Sequence, residues 1–402
     1  MKLYFCFPEK KVGGVSILFL RISKNLSEKF FKKTYLIDFE DGYMARSLSE
    51  KDKIIKYQPS ENIILGKDES SPNTIIFQSM TPWSIFKNIV SEDSRVIFWT
   101  CHPNNFVPDL HYLNFLGDGF KKFFLKVFLY TYYKKSKNFV KYLLKENSLF
   151  FMDQTTLKNT SYFLDISVEN PEFLPIAIEK SSLENSLVPL EKVTLFWIGR
   201  LVDFKYFILE KLILDLERLV PNLSFSLKVI GDGPYLKNLN SLKSKVSYEI
   251  SVEREIENNK LDDYLINNCS ILFAMGTAAL EGAKLGIPTI LLDISYKRIS
   301  QAYNYRWLFE RDGMTLGENI KDVSLDSSND DSLELRIKEY LENFKEISSK
   351  TLKYFDNNHN LENTSSELLK KIDNSTSQWG KIKKSKFTSR GIVYNFYKYL
   401  KR

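Results

Sequence analysis

SILFAMGTAALEGAKLGIPTILLD, residues 270–293, is the stretch on which the fold of the second half turns. Its first apolar run reads as a buried strand. Gly276 and Thr277 open a helix directly behind it, Gly286 and Pro288 end that helix, and IPTILLD is the next buried strand. Strand, helix and strand in close succession predict a parallel sheet with helices on both faces.

Outward from this stretch the alternation continues. KVTLFWIGRL (192–201) is a strand and loop, and YFILEKLILDLERLV (206–220) is a strongly periodic helix. SFSLKVIGDGP (224–234) is a strand and turn, LKNLNSLKS (236–244) a helix, VSYEISV (246–252) a strand and LDDYLINN (261–268) a helix start. The first half has the same rhythm. LYFCFP (3–8) leads through Gly13-Gly14 into a helix, and TYLIDF (34–39), TIIFQS (74–79), RVIFWTCH (95–102) and SLFFMD (148–153) are further strands. EFLPIAIE (172–179) is an extended run that closes the half. The fold class is therefore α/β: two Rossmann-like, doubly wound domains that face a cleft, residues 1–178 and 179–375. A basic helix in 376–402 is expected to cross back to the first domain, and Ser365 to Ser377 read as a helix end and a polar link. Ligands of such sheets bind at the carboxyl ends of strands, and a cleft between domains is the natural active site.

At 402 residues the chain exceeds a single core, and 43% apolar residues exclude broad disorder. Three cysteines, Cys6, Cys101 and Cys269, without a CxxC pair, predict buried free thiols, a reducing cytoplasm and no zinc site. MKLYFCFPEKK is too short for a signal peptide, and no apolar run approaches the roughly 18 residues of a bilayer span.

Net charge is +7, but it is unevenly spread. Residues 121–145 hold eight lysines and no acid, and residues 379–402 hold eight Lys or Arg and no acid, so the remaining chain has 41 basic against 50 acidic residues, or −9. Phe, Tyr and Lys interleaved at helical spacing suit a helix lying in an anionic membrane surface, where each lysine gains roughly 1 kcal/mol. A core helix with inward aromatics and solvated lysines explains the first segment equally. The second suits a helix docked on the protein, its basic face outward. No nucleic-acid module accompanies the basic stretches, so a nucleic-acid partner is not expected.

Four strand-end loops in the second half carry the chemistry. Gly199-Arg200-Leu201 with Lys205 puts two cations where a backbone turns closely, which suits a leaving diphosphate; a solvated surface turn is the plain alternative. Gly231-Asp232-Gly233-Pro234 leaves the backbone open to a ligand or simply makes a turn. Asp262 and Asp263 read as the acidic start of a helix. In the fourth loop the backbone N–H groups of Gly276 and Thr277 would point at an anion. Glu281, one turn on, could accept from ribose hydroxyls or be merely a first-turn acid.

In order and spacing these loops resemble the C-terminal domain of glycosyltransferases of GT-B architecture, and family four in particular. The matching residues are Gly199-Arg200-Leu201 with Lys205, Gly231-Asp232-Gly233-Pro234, and Gly276 followed by Glu281-Gly282 and Leu285-Gly286-Ile287-Pro288. The resemblance covers residues 190–295 and extends to Gly13-Gly14 after the first strand and to His102. It implies transfer of a sugar from a nucleotide-sugar donor, with anomeric retention, while the basic aromatic segments suggest a glycan or lipid-linked acceptor of bacterial surface polysaccharide assembly (capsule, O-antigen or lipopolysaccharide). Arg200 and Lys205 would stabilise the diphosphate. Gly13, Gly14, Gly199, Gly231, Gly233, Gly276, Thr277, Ala278 and Glu281 would line the donor. His102 would serve as a general base or as a hydrogen-bond partner to the sugar. No Asp-x-Asp stands at a strand end, so no metal or other cofactor is expected. The chain departs from the family at Phe273, eight residues before Glu281, where many members carry a second glutamate. The expected place is the cytoplasm, on the inner face of the membrane. A nucleotide-sugar epimerase of the same fold, or an inactive membrane-surface scaffold, would share these features. The lack of GxGxxG argues against a dinucleotide oxidoreductase.

Overall fold

The computed structural model describes residues 1–66, 72–108, 116–183, 188–320 and 332–389. The chain forms two compact units, Met1–Ile176 with Leu361–Arg402, and Ala177–Asn360.

The first unit begins with β1 (Lys2–Cys6), α1 (Gly14–Glu28), β2 (Lys33–Asp38), α2 (Tyr43–Ser47), β3 (Ile54–Lys56), β4 (Ile63–Ile64), β5 (Thr74–Gln78), β6 (Ile89–Val90) and β7 (Arg95–Thr100). It continues with α3 (Gly117–Val127), α4 (Tyr130–Lys145), β8 (Leu149–Phe151) and α5 (Gln154–Leu164). Its main sheet runs β3-β2-β1-β5-β7-β8 with every neighbour parallel, and β4 pairs β6 apart from it. The central strands are buried along most of their length, which is why they read as continuous apolar runs and not as alternations.

The second unit contains β9 (Thr194–Ile198), α6 (Asp203–Glu217), β10 (Ser226–Ile230), α7 (Leu236–Lys243), β11 (Ile250–Glu253), α8 (Asn258–Asn268), β12 (Ile271–Ala274), α9 (Thr277–Ala283), β13 (Thr289–Leu291), β14 (Arg306–Trp307) and α10 (Leu333–Asn358). Its sheet runs β11-β10-β9-β12-β13-β14, parallel except for β14. Both sheets therefore have the doubly wound order in which the first strand is central and the connections diverge to either side of it. The core of this unit gathers Leu195, Trp197, Leu212, Phe273 and Trp307 between sheet and helices.

The chain returns to the first unit sooner than the sequence suggests. It crosses at 176/177 and 360/361, not at 178/179 and 375/376. The difference is α11 (Leu361–Asn374), which buries Leu361, Leu368 and Ile372 in the first unit and packs on α1. Most of the stretch read as a polar link is thus helix. Behind it, α12 (Trp379–Lys384) sinks Trp379 fully into that core, its indole N–H donating to the Ile89 carbonyl at 2.9 Å and its ring 5.1 Å from Phe77. Residues 390–402, which include the remainder of the basic terminal segment, lie outside the described residues. Among the described residues no helix is long and apolar enough to cross a membrane.

Candidate functional site

The second unit has its topological switch point between β9 and β12. Ile198 pairs with Ala274 on one side and with Ile230 on the other, so the loops at 199, 231 and 275 leave the sheet level with one another at its carboxyl end. Adjacent strands lie about 4.8 Å apart. The register alone thus places the Arg200 loop beside the Thr277 loop, in the crevice where open α/β sheets take ligands.

Backbone bonds brace the first loop. Gly199 N–H donates to Ile230 O (3.0 Å), Leu201 N–H to Asp232 O (2.9 Å) and Tyr235 N–H to Leu201 O (3.1 Å). Gly231 and Gly233 make this possible. A Cβ on Gly231 would stand 1.8 Å from Gly199 O, and one on Gly233 would stand 2.4 Å from Leu201 O. These two glycines press one loop against its neighbour, a role that turn chemistry in the sequence could not reveal. Trp197, also unmarked in the sequence, forms the floor, with its ring 3.1 Å from the Cβ position of Gly199.

Lys205 lays its stem over Gly199, its Cδ 3.5 Å from that Cβ position. Burial, together with the neighbouring Arg200 guanidinium, lowers its pKa to about 8. Neither Arg200 nor Lys205 has an ion-pair partner among the described residues. Two adjacent cations without a counterion on a braced loop leave an electrostatic demand that an anion would meet.

Across the switch point, Gly276 has φ +65°, a backbone state that favours glycine, with open space around its Cβ position. Its N–H does not point at an anion as the sequence suggests, because it donates to Leu316 O at 2.7 Å. The N–H groups of Thr277 and Ala278 have no acceptor among the described residues and remain open. The helix behind them, α9, spans only Thr277–Ala283, so its dipole is that of two turns.

Glu281 places Oε2 2.7 Å from Lys284, which also pairs with Asp262 at 2.9 Å. Burial opposes the Lys284 charge, but Glu281 and Asp262 outweigh it and hold its pKa above the ordinary value. The second Asp262 oxygen accepts from Ser181 Oγ at 2.9 Å. Asp262 is therefore not at a helix start; α8 begins at Asn258, and Asp262 ties α8 to α9 one turn in. Lys284 was invisible as a site residue in the sequence because Asp262, its second partner, meets it only across two helices. Glu281 keeps Oε1 free of any hydrogen bond among the described residues.

In the first unit, Gly13 and Gly14 lie at the start of α1, after the central strand β1. A Cβ on Gly14 would meet nothing within 4 Å, and one on Gly13 only Ser16 Oγ at 4.0 Å, so the fold itself does not require glycine there. Asp38, fully buried at the end of β2, accepts from the N–H groups of Glu9, Phe39, Met44 and Ala45 and pins the loop that leads to Gly13. His102 follows β7. Its Nδ1 accepts from Asn104 N–H at 3.2 Å, which places the proton of the neutral ring on Nε2. Although His102 is exposed, surrounding protein volume still lowers its pKa, favouring that neutral form. A ring in this state offers Nε2–H as a donor, which suits a hydrogen bond to a sugar oxygen better than proton abstraction.

No protein-family model matches the chain, and no curated protein matches it. Solved structures do. A glycosyltransferase from Rickettsia africae ESF-5 aligns over 96% of this chain and 99% of its own, with 13% identity and a TM-score of 0.56. The lipopolysaccharide outer core galactosyltransferase WaaB, in its apo form, aligns over 93% and 99%, with 11% identity and a TM-score of 0.58. Anabaena Alr3699/HepE in complex with UDP-glucose aligns over 93% and 99%, with 12% identity and a TM-score of 0.50. The chain has the GT-B fold.

Within this GT-B chain, Phe273 is fully buried on β12, edge-on to Tyr305 at 6.3 Å, in the hydrophobic core. No carboxylate stands at that position, and Met275-Gly276 is the whole connection between β12 and α9. Neither residue of that connection is an acid.

Proposed function

We propose that the protein is a glycosyltransferase that moves a sugar from a nucleotide-sugar donor to a glycan or lipid-linked acceptor. The observation that carries this reading is the pair Arg200 and Lys205, adjacent cations without a counterion among the described residues at the switch point of a GT-B unit. As the sugar–phosphate bond breaks, its electron pair stays on the diphosphate. The two cations, with the open N–H groups of Thr277 and Ala278, would stabilise that charge without a metal. Glu281 Oε1 would accept from the ribose, and Gly13, Gly14 and His102 would serve the sugar and acceptor side. Retention of anomeric configuration rests on the family resemblance, and a place in bacterial surface polysaccharide assembly, on the cytoplasmic side, rests on the basic aromatic segments. That WaaB is a lipopolysaccharide galactosyltransferase and that HepE is seen with UDP-glucose are consistent with this class.

The test is acceptor-dependent release of a nucleoside diphosphate from a panel of nucleotide-sugars. Conversion of the donor by the protein alone would instead favour an epimerase, and binding without any turnover would favour an inactive scaffold. The first-formed anomer of the product, read by NMR, decides retention.

Two smaller effects follow. Glu281→Gln weakens a nucleoside diphosphate roughly tenfold, the worth of one hydrogen bond to a charged group, and leaves inorganic pyrophosphate binding unchanged. Equal loss for both ligands would remove Glu281 from the ribose. The second effect is on pH dependence. Above about pH 8 the free protein increasingly holds Lys205 neutral, so an anion must bind together with a proton. Affinity then falls with rising pH, toward about tenfold per unit. The same depressed pKa means that Lys205 alone makes the folded protein more stable as pH rises from about 8 toward its unfolded value, because the unfolded chain there holds the extra proton. Calorimetric titration of a nucleoside diphosphate at about pH 7 and about pH 9 reads the first trend, and Lys205→Met should flatten it.

A further inference from the structure

The first helix of the basic segment, α3, is oriented the opposite way from an ordinary surface helix. On α3, Leu116, Phe120, Phe123 and Val127 recur at intervals of four, three and four, so they share one face. That face is outward: Phe123 is 54% and Val127 53% exposed, and Phe128 just beyond is 65% exposed. Lys121 and Lys122 face the protein instead, while Lys126 is exposed but still tied to Asp165. The side chains of Lys121 and Lys122 are only 15% and 20% exposed and pair with Asp118 and Asp165. Lys122 also lies over the Tyr162 ring at 4.3 Å, and Leu125 between them is fully buried. Asp165 takes Lys122 and Lys126 at 2.7 Å each and the Tyr133 hydroxyl at 2.8 Å, and its carboxyl is held well below the usual range by these lysines. Isolated exposed apolar residues are ordinary, but a continuous stripe maintained by inward-turned lysines is an interaction surface.

Charge says what covers it. Free lysines flank α3 on neighbouring elements. Lys134 and Lys141 on α4 are exposed, and the chain segment behind α12 packs on α4 through Phe387, 5.2 Å from Phe139, and through Lys135 Nζ donating to Ser389 O at 2.8 Å. That packing brings exposed Lys386 to the same helix, so the described start of the second acid-free basic segment meets the first in space. A second copy of the chain would bring like charge against like. A bilayer with anionic headgroups satisfies both the apolar stripe and the basic flank.

We propose that α3 is a lipid-inserting helix: its aromatic stripe enters the headgroup–acyl boundary of an anionic bilayer, while the lysines of α4 and the C-terminal segment contact the headgroups. This corrects the amphipathic picture drawn from the sequence, in which the lysines of α3 themselves faced the lipid. The inference is independent of the donor loops and stands or falls apart from them.

The test is flotation of the full-length protein with vesicles of phosphatidylcholine alone and of phosphatidylcholine mixed with phosphatidylglycerol. Binding to the anionic vesicles is expected, with at least roughly tenfold loss in Phe123→Ser combined with Val127→Ser. Because both side chains are exposed, the thermal melt should not move, which separates lost binding from lost folding. A charge-only attachment would be insensitive to the double variant but abolished by salt, and that outcome overturns the proposal. So does failure to float with either vesicle. Analytical ultracentrifugation showing a dimer that the double variant dissociates would assign the stripe to a second copy and overturn it as well.

Discussion

Arg200→Ala lowers turnover of the donor by about a hundredfold to a thousandfold, and Lys205→Ala does so to a similar degree. That is the range reached when one preorganised charge is removed from a developing anion. The reasoning is that the loop carrying Arg200 and the stem of Lys205 are held by the fold before any ligand arrives. The Arg200 loop is laddered to Asp232 and Ile230 through backbone bonds, and the Lys205 stem lies against Gly199. Little reorganisation remains to be done when charge builds on the diphosphate. The two losses should not add in the double variant, since the cations act on one anion. The Lys205 pKa is lowered chiefly by burial and secondarily by the Arg200 charge, so Arg200→Ala should move the Lys205 titration part of the way back up in the free protein. Steady-state kinetics of the three variants, with a calorimetric proton-uptake measurement, read both effects.

Gly231→Ala destabilises the second unit by about 4 kcal/mol, near the top of what single substitutions do. The added methyl would sit 1.8 Å from Gly199 O and 3.0 Å from Gly199 C, both backbone atoms that no rotamer change can move aside. Relief requires the two loops to separate, which breaks the bonds from Gly199 to Ile230 and from Leu201 to Asp232. The melting temperature should fall by about 10 °C, and nucleotide binding should fall with it because Arg200 rides on the displaced loop. Gly276→Ala provides the contrast. Its φ of +65° is unfavourable for alanine but the Cβ position is open, so about 1 kcal/mol is expected. If the two variants melted alike, the close approach of the loops would not be what Gly231 is for.

These residues also show what the sequence could and could not convey. The strands and their helices were legible because strands buried on both faces become continuous apolar runs, and those of β9, β10 and β12 end in glycines. The loops at 199, 231 and 276 were therefore placed on one sheet end from sequence alone. Their internal division of labour was not. Whether a glycine faces a ligand or a neighbouring carbonyl depends on backbone distances that spacing does not encode. Gly276 N–H was lost to Leu316 for the same reason, since that carbonyl lies forty residues downstream. Periodicity likewise marks a stripe on α3 but not which side of the helix meets the protein. That side is decided by Asp165, which the sequence gives no reason to pair with Lys122. The early return of the chain at 361 was hidden because α11 is polar on its outer face and amphipathic helices look alike whichever unit they cover.

The central claim is that a donor diphosphate rests on Arg200 and Lys205. Its most direct test is a thermal-shift titration of the intact protein and of Arg200→Ala with nucleoside diphosphates. Stabilisation that grows with ligand concentration, as linkage requires, is predicted for at least one nucleoside diphosphate with the intact protein, and its loss is predicted for the variant. Equal stabilisation of both proteins would place the nucleotide elsewhere and contradict the account.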